Sequence, residues 1–437
     1  MPHSYIKKIL NARVYDVARE TPLDAAPLLS SRLNNQVWLK REDLQPVFSF
    51  KCRGAYNKMS RLDESARQAG VVAASAGNHA QGVALAAQKL SIKATIVMPV
   101  TTPAIKVDAV RARGARVVLF GDTFDEAAVR AAELVATHGL TFIHPFDDPD
   151  VIAGQGTVAM ELVRQAPGPL DYVFICCGGG GLLAGMAAYL RYTWPDTRII
   201  GVEPEDAACT QAALNEGRRV TLREVGLFAD GCAVAQVGKE TFRVIRECVD
   251  EVMTVSTDEI CAAVKDIFED TRAIAEPAGA LAVAGMKKFA EAHAITGKMM
   301  AATVSGANTN FDRLRYISER TEIGERREAI LSVTIPERAG AFRTFCSAIG
   351  KRNITEFNYR YEMSGEARVF VGLTVTPDDE GVSALQSVLE RKGYRVLDMT
   401  DNETAKLHLR HMIGGRVSPE IADEMVFRVE FPERPGS

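Results

Sequence analysis

Short apolar runs alternate with Ala-rich amphipathic stretches throughout residues 1–323. The runs are rich in β-branched residues and apolar at nearly every position, which is typical of parallel strands buried on both faces of a sheet. The stretches between them repeat apolar residues at helical spacing. This alternation predicts an α/β domain of open parallel sheets in two lobes. Predicted strands span residues 71–74, 94–98, 117–120, 171–176 and 198–203, and predicted helices span 81–90, 102–113 and 122–138, the last capped by Asp122 or Thr123.

The pattern changes at Gly324, where a smaller domain is predicted over residues 324–413. Its apolar positions predict strands at residues 327–335, 355–361, 367–376 and 394–399, and helices at 341–349 and 382–391. The resulting order, βαββαβ, is that of a ferredoxin-like fold. Residues 402–413 are predicted to follow as a helical connector.

A weak internal repeat supports this boundary and indicates a third segment. Residues 332–340, SVTIPERAG, recur in altered form as residues 428–436, RVEFPERPG, one residue before the sequence stops. We therefore expect residues 414–437 to supply only the first strand, residues 425–431, of an incomplete second unit. A lone strand cannot bury its own apolar side chains, so this strand must pair with the first unit, pair with another subunit, or fray.

Composition and charge narrow the class of protein. Hydrophobic residues make up 47% and charged residues 25%, which is the balance of a folded globular protein. The formal net charge of −4 argues against a nucleic-acid or anionic-membrane partner, since both need a basic face. Eight cysteines, none in a Cys-x-x-Cys pair, argue against a disulfide scaffold or a zinc ribbon. With no signal-peptide pattern and no long apolar run, we expect a soluble cytoplasmic protein.

The first candidate for chemistry is Lys51, which follows Phe50 at the start of a predicted helix. A lysine sheltered there would lose part of its positive charge to desolvation and to the positive helix end. A neutral amine can attack an aldehyde and form a Schiff base. Taken alone, the position is explained more simply by an ordinary surface lysine.

The second candidate is a loop between a predicted strand and a predicted helix, formed by Ser75, Ala76, Gly77, Asn78 and His79. Small residues allow close approach of a bound carboxylate, and free N–H groups at a helix start hold an anion. The Asn78 amide can both donate and accept a hydrogen bond, and so can contact a ring oxygen. A histidine packed at the helix start explains His79 better than a general base does.

The third candidate is a glycine-rich loop after the strand at residues 171–176. It comprises Gly178, Gly179, Gly180, Gly181 and Leu182. Glycines before a helix form a phosphate cradle. The same segment also fits the dinucleotide fingerprint, with Glu203 about 20 residues on as the ribose ligand. A NAD-dependent dehydrogenase therefore stays open on this motif alone, and Cys176 and Cys177 just before it are interpreted as small buried apolar residues.

The fourth candidate is Ser305, at the carboxyl end of the predicted strand 301–304, where ligands of α/β proteins bind. A serine hydroxyl can hydrogen-bond a neutral ring nitrogen, whereas an aspartate would keep that nitrogen protonated. The weaker electron sink disfavours transamination and leaves β-elimination as the easier reaction. No metal site is predicted, because His408 and His411 lack a third ligand.

Together these motifs resemble the fold-type II pyridoxal-phosphate enzymes, which have a tryptophan synthase β-like fold. The likeness is greatest to biosynthetic threonine deaminases with a C-terminal ACT-like regulatory region, over residues 5–436. The resemblance implies that Lys51 holds the cofactor covalently and acts as the catalytic base. It implies that Phe50 packs by the ring, Asn78 binds the phenolic oxygen, Ser305 meets the pyridine nitrogen and the glycine loop binds the phosphate. The loop from Ser75 to His79 would hold the substrate carboxylate.

The implied activity is β-elimination of L-threonine, and of L-serine, to 2-oxobutanoate or pyruvate and ammonia, the first step of isoleucine biosynthesis. Serine racemases look similar but carry a serine where this chain has Ala76, so its absence favours elimination. The sequence also leaves open a dehydrogenase with an ACT-like module and a catalytically silent regulator that binds amino acids.

The resemblance also implies regulation and assembly. Isoleucine would inhibit the enzyme, valine would relieve that inhibition, and the protein would be a homo-oligomer, either a dimer or a tetramer. If the chain is a truncated form, we expect a weakened response to isoleucine. If it is a naturally short enzyme, the first ACT-like unit alone could still bind the effector.

Overall fold

A computed structural model describes residues 3–311, 313–324, 328–361, 365–375, 381–400, 402, 415 and 416. Backbone contacts separate them into two units that divide between Leu314 and Arg315, within a helix. Each unit is therefore described by itself. Within the described residues, no helix is long and apolar enough to cross a membrane.

The N-terminal unit is built from alternating strands and helices. Its strands are β1 Leu23–Ala25, β2 Gln36–Arg41, β3 Val71–Ala74, β4 Ala94–Met98, β5 Arg116–Leu119, β6 Thr141–Phe142, β7 Tyr172–Cys176, β8 Arg198–Pro204, β9 Glu251–Val255 and β10 Met299–Val304. Its helices are α1 His3–Leu10, α2 Pro27–Leu33, α3 Lys51–Ser60, α4 Glu64–Ala69, α5 Asn78–Leu90, α6 Ala104–Arg111, α7 Phe124–His138, α8 Pro149–Gln165, α9 Gly181–Thr193, α10 Cys209–Glu216, α11 Lys239–Cys248, α12 Thr257–Thr271 and α13 Pro277–Ala292. Single-turn 3₁₀ helices lie at Glu42–Leu44, Glu205–Ala207 and Asp230–Cys232.

Two sheets form the two lobes of this unit. The larger has the order β1-β2-β10-β7-β8-β9, parallel except for β1, and the smaller has the order β5-β4-β3-β6, parallel throughout. All four residues of β3 are buried, as continuous apolar strands require. The predicted two-lobed parallel architecture is confirmed.

Local signals explain where several elements begin. The predicted cap of α7 is confirmed at Thr123, whose hydroxyl accepts the N–H of Glu126 in a capping box. Helix α5 starts at Asn78, three residues earlier than predicted, because the loop after β3 leads directly into it. Helix α6 is shorter than predicted at both ends: Pro103 precedes it and Ala112 caps it.

The C-terminal unit begins within α14 Arg313–Gly324, at Arg315. Its elements are β11 Glu328–Pro336, α15 Ala341–Ile349, β12 Ile354–Tyr361, β13 Glu366–Thr374, α16 Gly381–Arg391, β14 Arg395–Asp398 and β15 Gly415–Arg416. The sheet order is β14-β11-β13-β12-β15, antiparallel except where β15 pairs with β12. The predicted βαββαβ order is confirmed, and apolar residues of both helices pack on the sheet, including Phe345, Leu385 and Leu389.

Three sequence predictions lie outside the described residues: the helical connector after Asn402, the strand at residues 425–431, and the histidine pair His408 and His411. The domain limits 1–323, 324–413 and 414–437 stay predictions.

Candidate active site

The structure brings the four predicted motifs together in the N-terminal unit. Phe50, the residue before α3, donates its N–H to the carbonyl of Ser305 at 3.3 Å. The neighbouring residues Ser49 and Gly306 form an isolated bridge. The first residue of α3, Lys51, therefore lies beside the carboxyl end of β10, where ligands of parallel sheets bind.

The Lys51 side chain is only partly exposed. Its Nζ donates to the carbonyl of Pro145 at 3.2 Å and lies 5.3 Å from the centre of the Phe50 ring. Burial lowers the pKa of Lys51, and the opposing effects of Cys232, Cys176 and Glu276 do not cancel this. A lysine with a lowered pKa suits both covalent attachment and proton abstraction.

The glycine loop has the shape of an anion cradle. Gly180 has φ of +91°, a left-handed conformation that favours glycine, and α9 begins at the next residue. A side chain at Gly179 would collide with the ring of Phe146. The Gly179 carbonyl accepts a hydrogen bond from the Thr241 hydroxyl at 2.8 Å. Because the first N–H groups of a helix have no intrahelical partner, those of α9 are available to an anion.

The Asn78 amide is fixed in one orientation. Its Oδ1 accepts from Asn308 Nδ2 at 2.7 Å, and its Nδ2 donates to Glu276 Oε1 at 2.6 Å. Glu276 also accepts the backbone N–H of Asn308 at 3.0 Å. An amide nitrogen has two N–H groups, so one remains to donate to a phenolic oxygen.

The loop from Ser75 to His79 is braced by its own polar groups. The Ser75 hydroxyl accepts the N–H groups of Gly77 and Ala80 at 3.2 and 3.3 Å. His79 is buried, and its Nε2 donates to the Ile143 carbonyl at 2.8 Å. Burial, followed by the charge of Lys51, lowers the pKa of His79 to about 3. The ring is therefore neutral at pH 7 and positions the loop, while Ala76 offers no ionisable group.

Ser305 is buried directly after β10. Its hydroxyl donates to the Ala278 carbonyl at the long distance of 3.3 Å. A hydroxyl has a single proton, which can turn instead to a neutral ring nitrogen.

Several residues at the site were missed by sequence reasoning. Glu276 was given no role, although Pro277 directly after it is a visible signal of a helix start. Asn308, three residues after Ser305, was also given no role. Pro145, Phe146 and Thr241 belong to segments that carry no motif, and only the folded chain brings them to Lys51 and Gly179.

The dehydrogenase hypothesis fails at Glu203. This carboxylate is fully buried and accepts the backbone N–H groups of Thr210 and Gln211 at 2.8 and 2.9 Å. It therefore binds the start of α10, and neither oxygen is presented to a ribose. The fingerprint matches because a phosphate-binding glycine loop and the dinucleotide-binding loop share closely spaced glycines between a buried strand and a helix.

Glu276 yields a prediction about the pH dependence of stability. Burial, assisted by the charge of Asp230, raises the pKa of Glu276 from 4.5 to about 7. Between these values the unfolded chain releases the proton while the folded chain keeps it, so stability falls as pH rises. Urea unfolding should be measured near pH 4.5 and near pH 7, the two pKa values of Glu276. Between these two pH values the free energy of unfolding of the wild type should fall relative to that of Glu276→Gln. A difference that does not change with pH would contradict the assignment.

These residues fit pyridoxal phosphate, the cofactor that the resemblance implies. The glycine loop packs too closely to admit a side chain at Gly178 or Gly179, so its backbone is bare, and the start of α9 favours a phosphate. One N–H of Asn78 is left for the phenolic oxygen, and the Ser305 hydroxyl for the ring nitrogen. Lys51 supplies an amine of lowered pKa beside them.

Comparisons with known proteins agree with this site. Residues 14–306 match the family model described as pyridoxal-phosphate dependent enzyme, and residues 319–409 match the C-terminal regulatory domain of threonine dehydratase. The chain is 54% identical to the biosynthetic L-threonine dehydratase IlvA of Burkholderia multivorans, covering 100% of this chain and 86% of that protein. It is 52% identical to the IlvA of Escherichia coli, covering 99% and 84%.

Solved structures give the same result. The processed form of threonine deaminase isoform 2 from Solanum lycopersicum superposes with a TM-score of 0.72 at 51% identity, over 73% of this chain and 93% of that chain. A serine racemase from Dictyostelium discoideum superposes with a TM-score of 0.65 at 32% identity, over 70% and 99%. Given relatives more than half identical along nearly its whole length, this chain belongs to the biosynthetic threonine dehydratases, pyridoxal-phosphate-dependent lyases with a C-terminal regulatory domain.

Proposed function

We propose that the chain converts L-threonine to 2-oxobutanoate and ammonia, and L-serine to pyruvate and ammonia, as a step of isoleucine biosynthesis. The observation that carries the proposal is the placement of Lys51, whose pKa burial lowers, directly beside Ser305 at the carboxyl end of β10. A neutral amine suits proton abstraction, and a serine at the ring-nitrogen position suits elimination more than transamination. The names of the relatives support threonine as the substrate.

Pyridoxal phosphate, when bound, supplies an electron sink that makes the Cα proton of an attached amino acid acidic. The N–H groups at the start of α5 would hold the substrate carboxylate, with Ser75 bracing their loop. The Lys51 amine would take the Cα proton, and loss of the β-hydroxyl as water would follow. The enamine released to solvent tautomerises and hydrolyses to the ketoacid and ammonia. The neutral ring of His79 keeps a second positive charge away from Lys51.

Ketoacid release from threonine and from serine tests the proposed function. The enzyme should form 2-oxobutanoate and pyruvate respectively, each with one equivalent of ammonia. Binding of threonine that raises the melting temperature without ketoacid release would favour the silent regulator instead.

Ala76 yields a prediction about reaction outcome, since racemases superpose on this fold. Ala76 is half-buried in the loop from Ser75 to His79, which would hold the substrate carboxylate, and it offers no acid–base group. Ala76→Ser places a hydroxyl there, so we expect more D-serine per pyruvate from L-serine than in the wild type. Chiral chromatography of the reaction mixture measures this ratio, with Ala76→Gly as the control that changes size without adding a hydroxyl. A ratio that stays at the wild-type value would contradict the role given to position 76.

We further propose that the C-terminal unit binds branched-chain amino acids, with isoleucine as inhibitor and valine as antagonist. The match of residues 319–409 to a regulatory domain and the ferredoxin-like sheet support this. An effector changes activity only if it binds two states of the protein unequally.

Titration of isoleucine against activity, with and without valine, tests the regulatory proposal. We expect isoleucine to inhibit ketoacid formation and valine to relieve that inhibition. No effect of isoleucine on activity or on thermal unfolding would contradict the site itself.

We also propose a cellular compartment and an oligomeric state for the protein. All eight cysteines are free, and seven of them are buried, which suits a reducing compartment such as the cytoplasm. We expect a homo-oligomer, a dimer or a tetramer, whose mass light scattering of the full chain would measure.

A further inference from the structure

The turn that connects β6 to α8, residues 143–148, contacts both Lys51 and the glycine loop. The Pro145 carbonyl accepts the hydrogen bond from Lys51 Nζ at 3.2 Å. The ring of Phe146 fills the space beside Gly179, where a side chain would collide with it. We call residues 143–148 the lysine turn, because its shape decides where Lys51 finds this hydrogen-bond acceptor.

The His144 ring holds the lysine turn from within. Its Nδ1 accepts the backbone N–H groups of Phe146 at 3.2 Å and Asp147 at 2.8 Å. The ring also lies edge-on to the rings of Phe142 and Phe146, with centres 5.9 and 4.7 Å away. These contacts fix the ring and, through it, the two N–H groups that it binds.

A single peptide group joins His144 to Lys51. The Phe146 N–H, which Nδ1 binds, and the Pro145 carbonyl, which Lys51 Nζ contacts, belong to the same planar unit. No peptide bond among the described residues is cis, so this N–H and this carbonyl point in opposite directions. An acceptor that orients the N–H therefore orients the carbonyl as well.

Both ends of the lysine turn are anchored to other elements. His79 of α5 binds the Ile143 carbonyl at one end. At the other end the Asp147 carboxylate accepts three N–H groups at the start of α11, those of Lys239, Glu240 and Thr241, at 2.8, 2.8 and 3.2 Å. With both ends held, His144 is the side chain that orients the central peptide.

The contacts of His144 define its protonation state. A backbone N–H can only donate, so Nδ1 carries no proton and the single ring proton of the neutral imidazole lies on Nε2. Burial lowers the pKa of His144; Asp147 and Asp148 oppose this change, and the charge of Lys51 adds to it. His79 is neutral at pH 7 and adds no charge.

We propose that neutral His144 is a positioning residue for the Lys51 amine and acts through the Pro145 carbonyl. The inference rests on the proposed function, in which Lys51 takes the Cα proton. The carbonyl accepts a hydrogen bond from the neutral amine and a stronger one from the ammonium that proton abstraction creates. It therefore holds the amine in place and stabilises the product of that step. A proton on Nδ1 would face two N–H donors, break both bonds and release the carbonyl.

Two replacements of His144 separate its hydrogen bonds from its volume. His144→Leu fills the space without an acceptor, so we expect kcat to fall by about ten- to a hundredfold, since a misplacement of about 1 Å can cost 10²-fold. KM for threonine should change little. In His144→Asn the side-chain oxygen is as many bonds from the backbone as Nδ1, so this variant should recover most of the loss. Equal rates in the two variants would overturn the proposal.

The pH profile gives a test that does not depend on folding of the leucine variant. Only the wild type can take a proton at position 144, whereas Lys51 and Glu276 titrate in both the wild type and His144→Asn. The ratio of wild-type to His144→Asn activity should be constant above pH 6.5, the ordinary pKa of histidine, and should fall below it. A ratio that stays constant down to about pH 5 would contradict the role of the neutral ring.

Nuclear magnetic resonance of the holoenzyme, with nitrogen-15 in its seven histidines, observes the ring without turnover. The signal that disappears in His144→Asn belongs to His144. We expect the Nε2–H tautomer at pH 7 and protonation only below pH 6.5. A Nδ1–H tautomer or a charged ring at pH 7 would exclude the proposed contacts.

Cofactor affinity separates this inference from the proposed function. Because the lysine turn contacts both Lys51 and Gly179, His144→Leu should bind pyridoxal phosphate more weakly than His144→Asn, as measured by visible absorption during titration. Weaker binding together with an Nε2–H ring, in a protein that releases no ketoacid, would support the positioning role and contradict the lyase. Ketoacid formation and cofactor affinity that are both unchanged in His144→Leu would support the lyase and contradict the positioning role.

His138→Asn is the matched control, since His138 is exposed at the end of α7. Its rates, pH profile and cofactor affinity should equal those of the wild type. A loss in this variant as large as that in His144→Leu would show that the effect is not specific to the lysine turn.

Discussion

Replacing Lys51 with alanine is expected to lower the rate of ketoacid formation from threonine by on the order of 10³- to 10⁴-fold. Removing a positioned acid–base group typically costs up to about 10⁴-fold. Lys51 is also the residue proposed to hold the cofactor, so the visible absorption of the holoenzyme should be lost or shifted in the variant. Steady-state assays and absorption spectra of protein reconstituted with excess pyridoxal phosphate measure the two effects.

The matched control is Lys89→Ala, which removes an exposed lysine near the end of α5. Its activity and spectrum should equal those of the wild type. Borohydride reduction followed by peptide mapping should place the pyridoxyl group of the wild-type protein on Lys51. An adduct mapped to another lysine, or a Lys51→Ala protein with more than a tenth of wild-type activity, would exclude the proposed role.

The second large effect is expected in the stability of the N-terminal unit, on replacing Arg53. This guanidinium belongs to α3, two residues after Lys51, and is fully buried. Its Nε and Nη2 donate to Glu42 at 2.7 and 2.8 Å, and its Nη1 and Nη2 donate to Glu161 at 2.5 and 2.9 Å. Lys40 is also fully buried and donates to Glu161 at 2.8 Å. Four charges thus neutralise one another beside α3.

Arg53→Met keeps much of the side-chain volume but leaves the Glu42 carboxylate buried without its main partner. Breaking a buried ion pair in this way costs about 3–5 kcal/mol of unfolding free energy. Burial alone would raise the pKa of Glu42, but the charge and hydrogen bonds of Arg53 lower it more, so this pKa lies below its ordinary value. The network therefore loses stabilising free energy as pH falls through that lowered pKa. Urea unfolding of the N-terminal unit followed by circular dichroism measures the change.

Two further variants separate charge from packing. Adding Glu42→Gln to Arg53→Met should recover part of the loss, because a neutral amide costs less to bury than an unpaired carboxylate. Arg130→Ala removes an exposed partner of Glu133 and should change stability by less than about 1 kcal/mol. Equal losses from Arg53→Met and Arg130→Ala would show that the buried network does not stabilise the fold.

The sequence by itself determined the architecture and the positions of the four motifs. Continuous apolar strands such as β7 have a signal that depends only on neighbouring residues, and the capping box at Thr123 and Glu126 is equally local. The glycine loop and the Lys51 motif were found because each is a contiguous segment. The reliance on local patterns also explains the error at Glu203. Its spacing from the glycine loop matches a dinucleotide fingerprint, but in the fold the buried carboxylate binds the start of α10.

Only the tertiary structure decided which distant residues complete the site. Glu276 and Asn308 orient Asn78 across some two hundred positions of sequence, and the Pro145 carbonyl reaches Lys51 from another loop. The backbone of Cys232 likewise comes from a distant segment to lie against Gly178 of the glycine loop. Such contacts arise when the packing of helices and sheets brings loops together. The sequence does not show which loops will be close in space, because that depends on how the elements pack.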